Sequence, residues 1–323
     1  MKDRYSRALV QRLLVLVAGN VLLLGVIWFL MKEGSSFSQV LLRAGPNVAP
    51  VAVAGLGMTG IIFAGAIDLS IASIIVVAAT IFGILVSHGF PPWVCHFACV
   101  LGAWSLSMAN GYWVRLLRVP SIIVTLAGLA FYRGVALIVA DVGVPGFSGN
   151  ISVQDESYHA PGKVYAGWIL ALMLLLAAAW ELFAKSPRRW LALGNSEEAC
   201  RLLGVHPGRV LQSAYCVGGL FLGVAALIFT TRVQAIEPAR MALGFELQVI
   251  GAVVLGGTNI FGGEGSYAGT VLGAFFLYLI LELLIYSGVS PYFQELMTGA
   301  IILAVIGLDC AWHRKDQWLA ELA

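Results

Sequence analysis

The chain has 323 residues, 60% of them hydrophobic and only 11% charged. Soluble domains carry roughly twice that share of charge, so this chain cannot cover itself with polar groups in water and belongs in lipid. The formal net charge of +2 comes from cations spread among connecting segments. That pattern orients a membrane protein and excludes a nucleic-acid-binding footprint.

Lys2, Arg4, Arg7 and Arg12 precede an apolar run from Leu13 to Met31. The run is too long for a signal peptide and no small-residue cleavage site follows it, so it reads as a retained first span. Further apolar segments fall at 45–65, 67–87, 91–111, 119–140, 164–184, 210–230, 247–261, 266–287 and 291–309. Most approach the ~20 residues that a helix needs to cross the hydrocarbon core. Ten spans place both termini on one side. The charges give that side as the inner one. Thirteen cations fall in the segments expected inside: four at the N-terminus, Arg115, Arg118, Lys185, Arg188, Arg189, Arg201, Arg209, Arg314 and Lys315. Five fall outside: Lys32, Arg43, Lys163, Arg232 and Arg240. The asymmetry sets the termini in the cytoplasm. The expected fold is therefore an all-α polytopic membrane protein, a single domain over 1–323.

The second and third spans run together. Pro46 and Pro50, with Gly55, Gly57, Gly60 and Gly65, suggest broken or tightly packed helices there. At the junction Asp68 stands with Ser70 and Ser73, and an aspartate between apolar runs faces the bundle interior or water. A capping role at a helix start near Leu69 is an equal alternative. Asn110 and Thr125 are further polar groups in apolar runs. Arg133 lies near a span end, where snorkelling to the interface is expected. Asp141 to Lys163, dense in glycine and proline, reads as an ordered outer loop or re-entrant turn.

The longest polar interruption, 185–209, holds a short amphipathic helix. Asn195 or Ser196 can cap it, Glu197 and Glu198 complement its dipole, and Gly204 and Pro207 end it. Ala199, Leu202 and Leu203 give it a small apolar face. Beyond it, Gly256, Gly257, Gly262, Gly263 and Gly265 surround Thr258 and Asn259 between two apolar runs. This describes a sharp, closely packed turn. It is not a phosphate-cradling P-loop, because no Gly-Lys-Ser or Gly-Lys-Thr occurs in the chain. Cys95, His96 and Cys99 lie in an apolar run without further ligands nearby and read as core, so no metal is expected. The last span, 291–309, is followed by a cationic, aromatic anchor at Trp312 to Lys315.

Four stretches carry a family resemblance. Gly194 to Val205 (GNSEEACRLLGV) resembles the coupling loop of ATP-binding-cassette (ABC) importer permeases of the ribose and autoinducer-2 type. Gly65 to Ser73 (GAIDLSIAS) resembles their GGIDLSVGS, with Ala66 and Ala72 in place of glycines. Val119 to Gly134 and Leu247 to Ala274 match two further segments of the same family. The resemblance implies a permease subunit of an importer for a monosaccharide or small polyol of the ribose, rhamnose or autoinducer-2 type, multi-pass in a bacterial inner membrane and without catalytic residues or a cofactor of its own. ATP would be bound by cytoplasmic ATPase subunits. A second permease subunit, identical or homologous, and an external sugar-binding protein would complete the assembly. Gly194, Asn195, Ser196, Glu197, Glu198, Ala199, Arg201, Leu202 and Gly204 would form the ATPase-coupling loop. Asp68, Ser70, Ser73, Asn110, Thr125, Thr258 and Asn259 are candidates for the translocation pathway. The loops at 141–163 and 232–245 are candidate surfaces for the delivery protein. A related branched-chain amino-acid permease is the nearest alternative. An autonomous channel or ion-coupled carrier is the alternative of a different class, with Asp68, Arg133 and Glu282 as its few in-span charges.

Overall fold

A computed structural model describes residues 2–30 and 37–290, together with 293, 296, 297, 299–301, 303, 304 and 307. The helices are α1 (Lys2–Leu30), α2 (Phe37–Phe63), α3 (Ile71–Ser87), α4 (Pro92–Leu117) and α5 (Ser121–Gly143), then a short α6 (Ala160–Lys163) and α7 (Ala166–Phe183). They are followed by α8 (Ser186–Asn195), α9 (Glu197–Leu202), α10 (Pro207–Arg232), α11 (Phe245–Leu255) and α12 (Tyr267–Tyr286). Among the described residues, seven helices are long and apolar enough to cross a membrane: α1, α2, α4, α5, α7, α10 and α12. α3 and α11, with 17 and 11 residues, are shorter apolar helices. The described positions from 293 to 307 are helical, and the anchor expected at Trp312 to Lys315 lies outside the described residues.

The outward faces of α1, α4, α5 and α7 are studded with exposed Val15, Trp28, Phe97, Phe131 and Phe183. Such faces are stable only against lipid. α2 runs through the middle, buried over most of its length, with α10, α12 and α7 packed around it. Apolar burial drives helix association weakly inside lipid, so close packing of small residues takes over. α2 and α10 cross at Gly57 and Gly218. A Cβ on Gly57 would lie 2.5 Å from the Gly218 carbonyl oxygen, and one on Gly218 would lie 2.9 Å from that of Gly57.

Three boundaries differ from the sequence reading. α2 is one continuous helix through Pro46 and Pro50: of the broken or tightly packed helices expected, it is the tightly packed kind. Each proline withholds an N–H from the carbonyl four residues earlier. The Pro46 carbonyl, orphaned by Pro50, instead accepts from the Arg232 guanidinium at 3.3 Å. α3 starts at Ile71, later than expected, because Asp68 to Ser70 are held in a turn by the Asp68 side chain. α11 stops at Leu255, where Gly256 and a left-handed Gly257 (φ +85°) turn the chain.

At the end opposite α8 and α9, the two loops read as separate outer segments are joined. β1 (Ile151–Ser152) pairs antiparallel with β2 (Ala235–Ile236). His159 is buried between them, its ring nitrogens 2.8 Å from the Thr231 carbonyl and 2.9 Å from that of Val153. Arg133 belongs to the same end. It does not snorkel freely but donates to the carbonyls of Pro238 (3.0 Å) and Met241 (2.8 Å). Exposed Glu156 accepts from Lys163 at 2.9 Å, a hydrogen bond that holds its carboxyl below the ordinary value. Cys95 and Cys99 are buried in the apolar core.

The α2–α10 crossing is tested by two alanines. Gly57→Ala should destabilise the protein by about 1–3 kcal/mol through overpacking. Gly134→Ala, with nothing within 4 Å of the added methyl, should be neutral or stabilise by up to about 1 kcal/mol. Thermal unfolding in mild detergent gives the order of the two. Equal behaviour of both variants removes the crossing as a packing constraint.

Candidate functional site

Three chain segments far apart in sequence meet through their backbones at the end carrying α8 and α9. α8 begins with Pro187 in its first turn and buries Trp190 and Leu193 against α2 and α10. The Trp190 Nε1 donates to Ser213 Oγ at 2.8 Å. This packing drives the last turn of α8 onto the C-terminus of α2. There Gly194 lies so close that a Cβ would collide with the Phe63 carbonyl oxygen and the Gly263 amide nitrogen. Those two atoms are themselves hydrogen-bonded at 3.2 Å. Asn195, which the sequence offered as a cap, instead donates from Nδ2 to the Gly263 carbonyl at 3.0 Å and to that of Leu191 at 2.8 Å. Gly65, Gly262 and Gly263 all have left-handed φ, as the contact requires.

α9 projects from this lock. Ser196 is its cap, accepting from the Ala199 amide at 3.1 Å. Glu197 and Glu198 occupy the first turn, Glu197 pairs with Arg201 at 2.5 Å, and Gly204 stops the helix with φ +73°. Cys200 is its buried side chain. Leu202 and Leu203 are 84% and 81% exposed, an apolar pair left uncovered among the described residues. Beside α9 opens a depression of about 1130 Å³, walled by Arg115 and Arg118 of the α4–α5 turn, Arg201, Arg209, Gly65 and Phe261.

Asp68, Ser70, Asn110 and Thr125 form a second, buried group just inside this end. Asp68 Oδ1 accepts from the Ser70 amide (2.9 Å) and hydroxyl (2.6 Å), at the positive end of α3. Asn110 Nδ2 donates to Asp68 Oδ2 at 3.2 Å and to Ser70 Oγ at 2.7 Å, and Asn110 Oδ1 accepts from the Tyr132 hydroxyl at 2.7 Å. Ser121 Oγ accepts from the Ile67 amide at 3.1 Å, and Thr125 Oγ1 donates to the Ser121 carbonyl at 3.0 Å. Ser73 stands apart, donating to the Leu129 carbonyl at 2.7 Å. Thr258 and Asn259 are not gathered with Asp68. They build the glycine turn of the lock: Thr258 Oγ1 accepts from the Ser266 amide (3.4 Å) and Asn259 Oδ1 from the Phe261 amide (3.0 Å). Tyr132, Ser121 and the whole of α8 were missed in the sequence. Pro187, followed by Trp190 and Leu193 three apart, was the available signal for α8.

The architecture is a polytopic helical bundle with a short helix standing clear of one end. The chain superposes over 95% of its length on 99% of a metal-chelate type ABC transporter in an inward-facing conformation, with a TM-score of 0.53 at 14% identity. The profile of the family described as branched-chain amino acid transport system / permease component matches residues 42–306, and the chain belongs to that family. An autoinducer 2 import system permease protein, LsrC of Photorhabdus laumondii, is 32% identical over 260 residues, covering 79% of this chain and 76% of that one. A ribose import permease protein, RbsC of Bacillus subtilis, is 33% identical over 267 residues, covering 80% and 82%.

Asn110 joins three helices through one side chain, and its truncation leaves Asp68 and Tyr132 short of partners in a buried setting. Asn110→Ala should therefore cost about 1–3 kcal/mol, read as a lower unfolding temperature in detergent. Unchanged stability would mean that the cluster does not hold α3, α4 and α5 together.

Proposed function

We propose that the chain is the membrane-spanning permease subunit of an ABC importer that moves a monosaccharide or sugar-like small polyol, of the ribose, rhamnose or autoinducer-2 type, across a bacterial inner membrane. The observation that carries this reading is α9, an exposed apolar pair on a helix rigidly locked to the bundle. In this reading the chain is one domain, 1–323, of ten crossing helices with both termini in the cytoplasm. α3, α11 and the segment 291–309 complete the seven longer helices. The end with α8 and α9 then faces the cytoplasm, consistent with Arg115, Arg118, Lys185, Arg188, Arg189 and Arg209 around it.

ATP is hydrolysed by partner subunits, and the segment 185–209, centred on Gly194 to Gly204, couples to them. Leu202 and Leu203 enter a groove on the ATPase, with Arg115 and Arg118 flanking the contact. A second permease subunit and an external binding protein complete the importer, the latter docking on the joined loops around β1 and β2. Approach of the two ATPases moves the coupling helices and shifts the bundle between outward-open and inward-open packings. The solute crosses unchanged. Asp68, Ser70, Ser73, Asn110 and Thr125 fix the packing of α3, α4 and α5 along the pathway. Thr258 and Asn259 shape the turn through which α9 pulls on α2.

Leu202→Glu combined with Leu203→Glu should cut co-purification of the cytosolic ATPase at least about tenfold, as expected for charging the centre of an interface, and abolish import. Membrane insertion should remain. ATPase recovery undiminished in this variant, or solute uptake by the purified chain alone in ATP-free liposomes, overturns the coupling assignment.

A further inference from the structure

The outer end of the bundle holds a second cavity, of about 360 Å³, between α2, α10, α11 and α12. Its volume falls within the range of small-molecule pockets. Most of its wall is aliphatic, but five polar side chains converge on it: Asn47, Arg232, Gln248, Tyr278 and Glu282. Glu282 is 94% buried from its 6% exposure, on a helix that crosses the membrane. A carboxyl there is costly unless something uses it. Its neighbour is the Tyr278 hydroxyl, which also donates to the Val40 carbonyl at 3.0 Å. Among the described residues the Gln248 amide has no hydrogen-bond partner, so one donor group and one acceptor face the cavity unused.

The remaining groups decide what would fit. Arg232 is committed. Its Nη1 donates to the Asn47 Oδ1 at 2.9 Å and to the Pro46 carbonyl that Pro50 orphans, and its guanidinium lies 5.5 Å over the Phe229 ring. The guanidinium is thus anchored through Nη1 as part of the wall. Phe229 and Phe245 meet edge-on, with centroids 5.3 Å apart and planes at 82°, and present an aromatic surface to the cavity. Paired acceptors and donors beside an aromatic wall match the hydroxyls and C–H face of a sugar ring.

We infer that this cavity is an outer solute subsite for one neutral, polyhydroxylated molecule of monosaccharide size, with Glu282 and Gln248 hydrogen-bonding its hydroxyls and Phe229 and Phe245 forming the wall. The inference rests on the importer reading above. It places the first stop of the solute, after release from the binding protein, inside one permease subunit and at the opposite end from the Asp68 cluster.

The test uses the complete importer in liposomes with its loaded binding protein. Radiolabelled ribose, rhamnose and autoinducer-2 are offered in turn, with leucine as the contrasting probe. Glu282→Gln and Gln248→Ala should each lower ATP-driven uptake of the imported sugar about tenfold, as for loss of one hydrogen bond to a bound ligand. Co-purification of the ATPase, which reports folding and assembly, should match the wild type. Gln248 is half-buried and unpaired, so its variant is informative even where the Glu282 change disturbs packing. Sugar uptake within about twofold of wild type in both variants overturns the subsite alone. Leucine uptake by the wild type, or uptake of none of the three sugars, overturns the importer reading for this solute class and the subsite with it.

Discussion

The contact on which the rest of the structure depends is the seating of Gly194 against the Phe63 carbonyl and the Gly263 amide. No side chain intervenes there, so no rotamer can absorb a displacement. The end of α8, the end of α2 and the turn before α12 therefore meet through backbone atoms. Hydrogen bonds from Gly263 to Phe63 and from Asn195 to Gly263 hold the three segments in register. A joint made of long side chains would let the segments shift through rotamer changes, because interiors transmit strain only where packing is tight.

The buried carboxylate at Asp68 complements the lock. A lone carboxylate in this setting would be prohibitively costly, yet Asp68 gathers the Ser70 amide and hydroxyl and the Asn110 amide. The resulting network ties the α2–α3 junction to α4, and through Tyr132 to α5. It fixes orientation at a place where apolar side chains alone would allow helices to slide, since lipid and core are equally apolar. α2 and α3 therefore leave the end that carries α8 and α9 by different fastenings: α2 through backbone contact, α3 through a polar cluster.

Much of this was legible in the sequence, and what was not has a physical reason. Long apolar runs gave the locations of α1, α4, α5, α7, α10 and α12, because spanning lipid demands length and hydrophobicity together. The cap at Ser196 and the stop at Gly204 were readable because both are local events. Pairings between distant segments were not. Nothing near Asn195 says that its amide reaches Gly263, and nothing near Asp141 to Lys163 says that Ile151 pairs with Ile236. Whether α2 breaks at its two prolines was undecided for the same reason: its remedy is Arg232, 182 positions away from Pro50 by their numbers. Thr258 and Asn259 look like pathway groups until the glycine turn around them is seen to use their side chains itself.

One consequence joins the two ends. α2 places Phe63 in the lock and Asn47 to Val51 in the wall of the outer cavity. Between them it crosses α10 at Gly57 and Gly218, and α10 in turn carries Arg232 to the same cavity. The two prolines sit in the middle third of α2, where intrahelical hydrogen bonds are missing and a side chain from α10 substitutes for one of them. The sequence thus places close backbone packing at one end and at the crossing of α2, and a proline pair bridged by a side chain from α10 in its middle, beside the cavity.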